Sequence, residues 1–304
     1  MAATTSPRPL VTFTLAFGAL LAAGGVHAQS GSAAAPARPA AGQRVALVTG
    51  STDGLGREVA MRLASQGMHV IVHGRNAERG DAVVQEIAKE GRGSARFYRA
   101  DFASLADVRR LAADVRRDYA RLDLLVNNAG IITRDRQVSQ DGHEMQFAVN
   151  YLAGYALSYA LLPVLERGDH PRIVNVSSIA ASPLDFTDVM LERGYSSNRA
   201  YGQSKLAQVM FTIDLAQELK TKGIVVQALH PATYMDTNMV RSAGGTPRST
   251  VDEGAAAVLN AAATDAPSGS YFVGQRPGTP HAQAGDAEAR RQLRALSQKL
   301  TGLP

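Results

Sequence analysis

From residue 44 onward, short apolar runs alternate with stretches of helical periodicity, the pattern of βαβ units built around a parallel sheet. Residues 45–48 (Val-Ala-Leu-Val) hold no polar position, as a strand buried on both faces requires. Further strands are predicted at 69–73, 94–98, 122–127, 172–176, 224–229 and, briefly, 271–273. Helices fall between them: one to about residue 66, a long one carrying residues 147–152, and one through 198–211. Another is capped by Thr250 and runs to about residue 263, and a basic helix spans about 288–300. Two segments, 183–198 and 235–249, are longer than connectors need, which predicts loops that cover a substrate. The pattern holds no repeat and no sign of a second domain. The fold class that follows is α/β: one doubly wound domain over residues 43–304, with a mostly parallel sheet of about seven strands flanked by helices.

The first 28 residues differ in kind. Arg8 is their only charged side chain, and residues 10–26 form a near-continuous apolar run of 17. Val26-His27-Ala28 then places small residues at both positions of an A-x-A-like cleavage site, the pattern of a secretory signal peptide. The run is barely long enough to span a bilayer, so an uncleaved anchor is the alternative, as is a misplaced start codon. Residues 29–42 follow as an Ala/Pro-rich linker. Cleavage would place the protein in the periplasm or outside the cell. The alternatives leave it membrane-anchored or cytoplasmic, with membrane contact only where the segment is retained.

Across 304 residues, 45% hydrophobic and 19% charged content is that of a soluble globular protein. Cysteine is absent, which removes disulfides, thiolate metal sites and cysteine nucleophiles. The formal charge of +5 is carried as pairs such as Arg109/Arg110, Arg116/Arg117 and Arg290/Arg291, which read as solvated helix faces. No nucleic-acid motif accompanies them, so no nucleic-acid partner is expected. The seven histidines are scattered and form no H-E-x-x-H pair, so no metal is expected either.

The candidate chemistry lies at strand ends. The first strand runs into Thr49-Gly50-Ser51-Thr52-Asp53-Gly54-Leu55-Gly56 and then a helix. A glycine-rich turn there lets backbone approach a pyrophosphate while the helix N-terminus offers free N–H groups. Gly50, Ser51, Thr52, Gly54, Leu55 and Gly56 are therefore candidate cofactor contacts. After the second strand no acid lies between Val59 and Ala77 to accept a ribose 2′-hydroxyl. Arg75 stands there instead, placed to pair with a 2′-phosphate, and Arg57 could add to it. This favours NADP(H), with NAD(H) still accepted. Asp101, beside Phe102, either reaches the adenine amine or caps the helix beginning near Ser104. Asn128, Ala129 and Gly130 suit a sheet end where backbone meets cofactor.

Asn150 is awkward inside a helix, which predicts a local kink or a polar task; a satisfied buried amide is the plainer explanation. Ser178 sits at the carboxyl end of the fifth strand, the edge where open α/β sheets bind ligands. Tyr201 and Lys205 are four residues apart on one helix and share a face. An ammonium one turn from a phenol favours the phenolate and draws its pKa toward neutrality, making an acid–base pair. After the sixth strand come Pro231, Thr233 and Thr237.

With these pieces in order, residues 43–304 resemble the short-chain dehydrogenase/reductase family and its Rossmann-type fold. The marks are Thr49-Gly50-x-x-x-Gly54-x-Gly56, Asn127-Asn128-Ala129-Gly130, Asn150, Ser178 and Tyr201-x-x-x-Lys205. Arg172-Ile-Val-Asn-Val-Ser-Ser178, Ala200-Tyr-Gly-Gln-Ser-Lys-Leu206 and the tail from Ala289 resemble the retinol dehydrogenase-type branch. The resemblance implies an enzyme that interconverts an apolar alcohol and its aldehyde or ketone with NADP(H). Tyr201 would be the acid, Ser178 would hold the substrate oxygen, and Lys205 would bind the nicotinamide ribose and lower the Tyr201 pKa. Asn150 would position a proton-carrying water. Thr237, or else Thr233, would meet the carboxamide, although Pro231-Ala232 stands where the family has Pro-Gly. Tyr201, Lys205, Arg75, Asp101, Phe102 and Pro231 would all touch the cofactor. The family also implies pairing of two chains through long helices. A rival expectation is a non-catalytic NADP(H)-binding redox sensor or scaffold, which would be expected to lose Ser178, Tyr201 or Lys205. Relatives of this branch meet NADP(H) in the cytosol, whereas an exported protein meets little of it.

Overall fold

Alternate side chains of each buried strand feed opposite faces of the sheet, and this period of two builds two separate cores. In β1 (Val45–Val48), Val45 and Leu47 join one apolar cluster while Ala46 and Val48 join the other. The computed structural model describes residues 1–7, 9, 10 and 37–303. Residues 11–28 of the predicted export signal and 29–36 of the linker lie outside them.

The chain from residue 36 onward forms one compact α/β unit. After β1 come α1 (Gly54–Ser65), β2 (His69–Gly74), α2 (Ala77–Glu90), β3 (Ser94–Arg99), α3 (Leu105–Asp118) and β4 (Leu124–Asn127). A short α4 (Met145–Phe147) then runs through one π-helical turn, Ala148–Leu152, into α5 (Ala153–Leu165). The second half holds β5 (Arg172–Val176), α6 (Ser197–Glu218), β6 (Val225–His230), α7 (Asn238–Ser242) and α8 (Val251–Ala263). β7 (Tyr271–Val273), β8 (Arg276–Pro277) and α9 (Ala287–Thr301) close it. The sheet order is β3-β2-β1-β4-β5-β6-β7-β8, parallel from β3 to β7, so the order reverses between β1 and β4. A parallel sheet needs helical crossovers on its faces. Here α1, α2 and α8 supply one apolar layer, while α3, α5, α6 and α9 supply the other.

The sequence predicts about seven strands; among the described residues there are eight. The extra one is a two-residue antiparallel hairpin arm, too short to show an alternating pattern, folded back after Gly274. β4 begins at Leu124, two residues later than expected. Leu122 is instead tied to Val164 O, and the Asp123 carboxylate is turned to accept N–H bonds from Val45 and Asp169, each at 2.6 Å. Among the described residues one helix, Met145–Leu165, is long and apolar enough to cross a membrane, but 78% of that window is buried in the fold. It is a core helix. On the outer side, α9 is fastened to α6 by Arg290–Asp214 at 2.7 Å and to the π-helical turn by a Tyr151–Ser297 hydroxyl bond at 2.7 Å.

Candidate active site

The glycine-rich turn is held open by close backbone contact. Gly50 has φ +64, and a Cβ there would stand 2.9 Å from Ala129 Cα. A Cβ on Gly56 would collide with Gly50 O and Asn128 Nδ2, so only glycine lets α1 start this close to β4. Asp53 caps α1 by accepting from Gly54 N at 2.8 Å. Thr49 Oγ1 accepts from both Asn128 N and Ala129 N at 2.9 Å, and Asn128 Nδ2 donates to Thr49 O at 2.8 Å. Asn128 is thus the brace of the turn. The Ser51 hydroxyl is spent inside the protein, donating to Val48 O and accepting from His73 N. Leu55 belongs to the buried core, and Arg57 is paired with Glu86. These last three have only backbone, or in the case of Arg57 a shared guanidinium, to offer a ligand.

At the far end of β2 and β3 lies a cavity of about 300 Å³ lined by Arg75, Arg99, Ala100, Asp101, Asp107 and Arg110. The β2–β3 register pairs Gly74 with Arg99, so Arg75 and Arg99 leave neighbouring strand ends. Arg99 escaped the sequence reading because its partner in space, Arg75, is 24 residues away in sequence; only the register joins them. The backbone N–H of Asp101 and then the Arg110 guanidinium hold the Asp107 carboxyl below its ordinary range. Ser104 caps α3, and Asp101 makes a local turn to Ala103 N at 3.0 Å on the cavity wall. Phe102 is buried, stacked on His73 with centroids 4.3 Å apart.

His73 was also missed, since a lone histidine at a strand end carries no motif. Its Nδ1 accepts from Gly50 N at 3.1 Å, which leaves Nε2 to donate to Ala100 O at 3.2 Å. A neutral ring with one fixed tautomer satisfies both, and burial lowers its pKa to about 4.

The remaining candidates gather at the carboxyl ends of β4 and β5. Asn150 lies in the π-helical turn, which breaks the regular ladder and aims its amide at the loop after β4. Its Oδ1 accepts from Ile131 N at 2.8 Å, while Nδ2 donates to Ile131 O and Ser204 Oγ. The predicted kink and the satisfied amide are both present. A Cβ on Gly130 would lie 3.5 Å from Asn150 Oδ1 and 3.6 Å from Lys205 Nζ, so glycine keeps a space that both atoms face. Ser178 Oγ accepts from Ala180 N at 3.1 Å, and its hydroxyl lies near enough to the Tyr201 phenol to favour the phenolate. Lys205 Nζ donates to Val176 O at 2.8 Å and to Gln208 Oε1 at 3.0 Å, and stands 5.6 Å from the Tyr201 ring centroid.

Here burial outweighs the charge effect expected from spacing. Burial raises the Tyr201 pKa, with the Ser178 hydrogen bond opposing it, and lowers that of Lys205 from 10.5 to about 7. The lysine is 4% exposed, and its hydrogens go to a carbonyl and an amide rather than to the phenol.

Two loops cover the edge. Tyr195 OH meets Thr133 Oγ1 at 2.9 Å and accepts from Gln146 Nε2 at 3.0 Å, tying the segment before α6 to the β4 loop and to α4. After β6 and Pro231, Thr233 Oγ1 is bonded to His230 Nε2 at 2.9 Å. Thr237 caps α7, and its methyl lies 3.2 Å from where a Gly54 Cβ would sit. Asn238 Nδ2 donates to Asp53 Oδ2 at 2.6 Å. Of the two threonines, Thr237 is the one brought against the glycine-rich turn.

The family model for short chain dehydrogenases matches residues 44–247. This chain belongs to the short-chain dehydrogenase family. Human retinol dehydrogenase 13 is 34% identical over 294 residues, which cover 89% of this chain and 88% of the relative. Mouse polyprenol dehydrogenase is 36% identical over 289 residues, 88% of this chain and 86% of the relative. A short-chain dehydrogenase from Burkholderia cenocepacia, solved in complex with NADP, is 31% identical with a TM-score of 0.61, covering 76% of this chain and 95% of that one. The short-chain dehydrogenase described here is thus of the retinol dehydrogenase-like branch, an NAD(P)-dependent oxidoreductase acting on CH–OH groups.

The depressed lysine leaves a mark on stability. Between pH 7 and 10 the unfolded chain holds a proton on Lys205 that the folded chain has released, so this group makes stability rise with pH across that window. Urea unfolding at pH 7 and pH 9 should show the rise in the wild type and a smaller one in Lys205→Met. An equal rise in both would mean that Lys205 is not the group responsible.

Proposed function

We propose that this protein uses NADP(H) to interconvert an apolar alcohol and its aldehyde or ketone. The observation that carries the reading is the convergence of the Tyr201 phenol, the Ser178 hydroxyl and Lys205 at the carboxyl edge of β5. The chain's residues fit the cofactor. Gly50 and Gly56 let the turn pack against Ala129 and Asn128 at the α1 N-terminus, with Thr52 packed against Gly74 beside it. Arg75, Arg99 and Arg110 line a cavity that suits a 2′-phosphate, Arg110 being shared with Asp107 at 2.9 Å, with Asp101 for the adenine amine. Asn128, Ala129 and Gly130 supply backbone along the crevice, and Thr237 is the hydroxyl we assign to the carboxamide. A relative solved with NADP supports the same choice.

When bound, the nicotinamide supplies or accepts the hydride. The protein's part is to hold the substrate oxygen and move a proton. The Ser178 hydroxyl, oriented by the Ala180 N–H, donates to the oxygen as negative charge develops on it. Tyr201 gives that oxygen a proton in reduction and removes it in oxidation. A lysine ammonium next to the phenolate that forms offsets the burial that otherwise keeps the phenol protonated. Lys205 has three hydrogens and two are placed on Val176 O and Gln208 Oε1, which leaves one for the ribose or for a proton relay past Gly130 to Asn150. Apolar exposure at the rim points to an apolar substrate: Ile179, next to Ser178, is 54% exposed, and Tyr234 is 50% exposed. The retinol and polyprenol relatives have such alcohols in their names.

The deciding assay follows NADPH oxidation by the full chain across aldehydes and ketones of increasing apolar length. Tyr201→Phe should cut kcat by about 10²–10⁴-fold while NADPH still binds; a variant that keeps its turnover removes Tyr201 as the acid. Arg75→Glu should raise the NADPH Kd on the order of a hundredfold through loss of charge-assisted bonds, with NADH little changed. Equal weakening of both would refute the 2′-phosphate assignment.

For location, residues 1–28 are taken as an export signal, with a retained membrane anchor as the rival. N-terminal sequencing of the protein expressed in a secreting bacterial host should begin at Gln29. An uncleaved chain in the membrane fraction would select the anchor, and one in the cytoplasm would reject both.

A further inference from the structure

A chain of buried polar side chains crosses the sheet behind the site. Asn127, at the end of β4, donates to Ser158 Oγ on α5 at 3.0 Å and to Asn175 Oδ1 on β5 at 2.9 Å. Asn175 Nδ2 donates to Thr212 Oγ1 at 2.8 Å, and that hydroxyl donates back to Gln208 O at 2.8 Å. Gln208 lies one turn beyond Lys205 on α6, so their side chains share a face, and Gln208 Oε1 accepts from Lys205 Nζ. All six side chains are buried. Satisfied polar groups of this kind fix geometry; within the network only Asn127 Oδ1, at the end remote from Lys205, is left without a partner.

We propose that Gln208 is a positioning residue for the proton chemistry: its amide oxygen and Val176 O hold Lys205 Nζ at the end of β5. The Asn127–Asn175–Thr212 chain fixes the turn of α6 that carries Gln208. This rests on the oxidoreductase reading for its effect on turnover, but not for its effect on Lys205 itself. An amide is suited to the task because it accepts from the ammonium without neutralising it. A carboxylate at the same place would lock the lysine in its charged form. Facing Lys205 Nζ are the Tyr201 ring on its own helix, Val176 O, the Gly130 backbone and, across Gly130, Asn150 from the π-helical turn, while Ser177 Oγ donates to the Lys205 backbone carbonyl. None of these carries a formal charge at neutral pH, and burial alone accounts for the lowered lysine pKa. The group that touches Nζ therefore has an outsized influence on it.

The test titrates isotope-labelled lysines of the full chain by NMR, with Lys205 assigned through its loss in Lys205→Met. Gln208→Glu should move the Lys205 midpoint up by about one unit or more, and Gln208→Met should move it down. In the carbonyl reduction assay both variants should lose about tenfold in kcat with little change in the KM for NADPH, and the kcat–pH profile should move with the NMR midpoint. If Gln208→Met does not fold, Gln208→Asn draws the oxygen back by about 1.5 Å and should show the same downward direction. An unmoved Lys205 midpoint in the variants overturns the proposal, as does a loss of kcat with the pH profile unchanged. A wild type that binds NADPH yet reduces no carbonyl would sink the oxidoreductase reading, while the NMR midpoints would still decide the role of Gln208.

Discussion

A lysine buried to 4% exposure with no carboxylate beside it is the constraint around which the site is built. Taking an ammonium out of water is unfavourable unless it is paired, and here the fold answers it with dipoles rather than with an opposite charge. The strand-end carbonyl of Val176 and the Gln208 amide each take one hydrogen. Both acceptors are fixed by larger structures, the carbonyl by the β5 ladder and the amide by the turn of α6 above Asn175 and Thr212. A carboxylate partner would have stabilised the ammonium more, and would also have cancelled the field that Tyr201 needs. The arrangement gives up folding stability at neutral pH for a lysine that burial brings to about 7, where it can both hold and release a proton.

Neutral groups govern the cofactor turn in the same way. His73 accepts from Gly50 and donates to Ala100 as an uncharged ring, Thr49 collects two backbone N–H bonds, and Asn128 returns one to Thr49 O. Formal charge is concentrated at the other end of the crevice, where Arg75, Arg99 and Arg110 stand around the cavity. The crevice thus has cationic side chains where an anion would anchor and neutral, geometrically fixed dipoles where backbone must come close.

Much of this was legible in the sequence because the informative residues are consecutive or one helical turn apart. The glycine-rich turn, Asn127-Asn128-Ala129-Gly130 and Tyr201/Lys205 each announce themselves within eight residues, and the alternation of short apolar runs with helices dictates a parallel sheet. Contacts made by register alone stayed hidden. Arg99 joins Arg75 only because β2 and β3 pair Gly74 with Arg99, and Tyr195 joins Thr133 and Gln146 only once two loops meet. The sign of the Tyr201 shift was misjudged for a related reason. Helical spacing places the ammonium near the phenol, but the amount of water removed from both depends on how α6 is packed, which spacing does not contain. The π-helical turn at Asn150 lies between these cases: an amide inside a helix was visible as an anomaly, and its partner Ile131 was not.

The two covering loops are attached to different parts of the machinery, and this constrains how the site can open. The segment before α6 is tied through Tyr195 to Gln146, four residues before Asn150, so movement there is felt at the catalytic helices. The segment after β6 is tied through Asn238 to Asp53, the residue that caps α1 at the cofactor turn. Its own hydrogen bonds, from Ser249 to Thr233 and from Arg248 N to Tyr234 O, are mostly internal, while Met235 packs on the core beside Gly254 and Thr237 against Gly54. The two covering segments are thus anchored to different parts of the site, one to the helix that leads to Asn150 and the other to the α1 cap and the core beneath it.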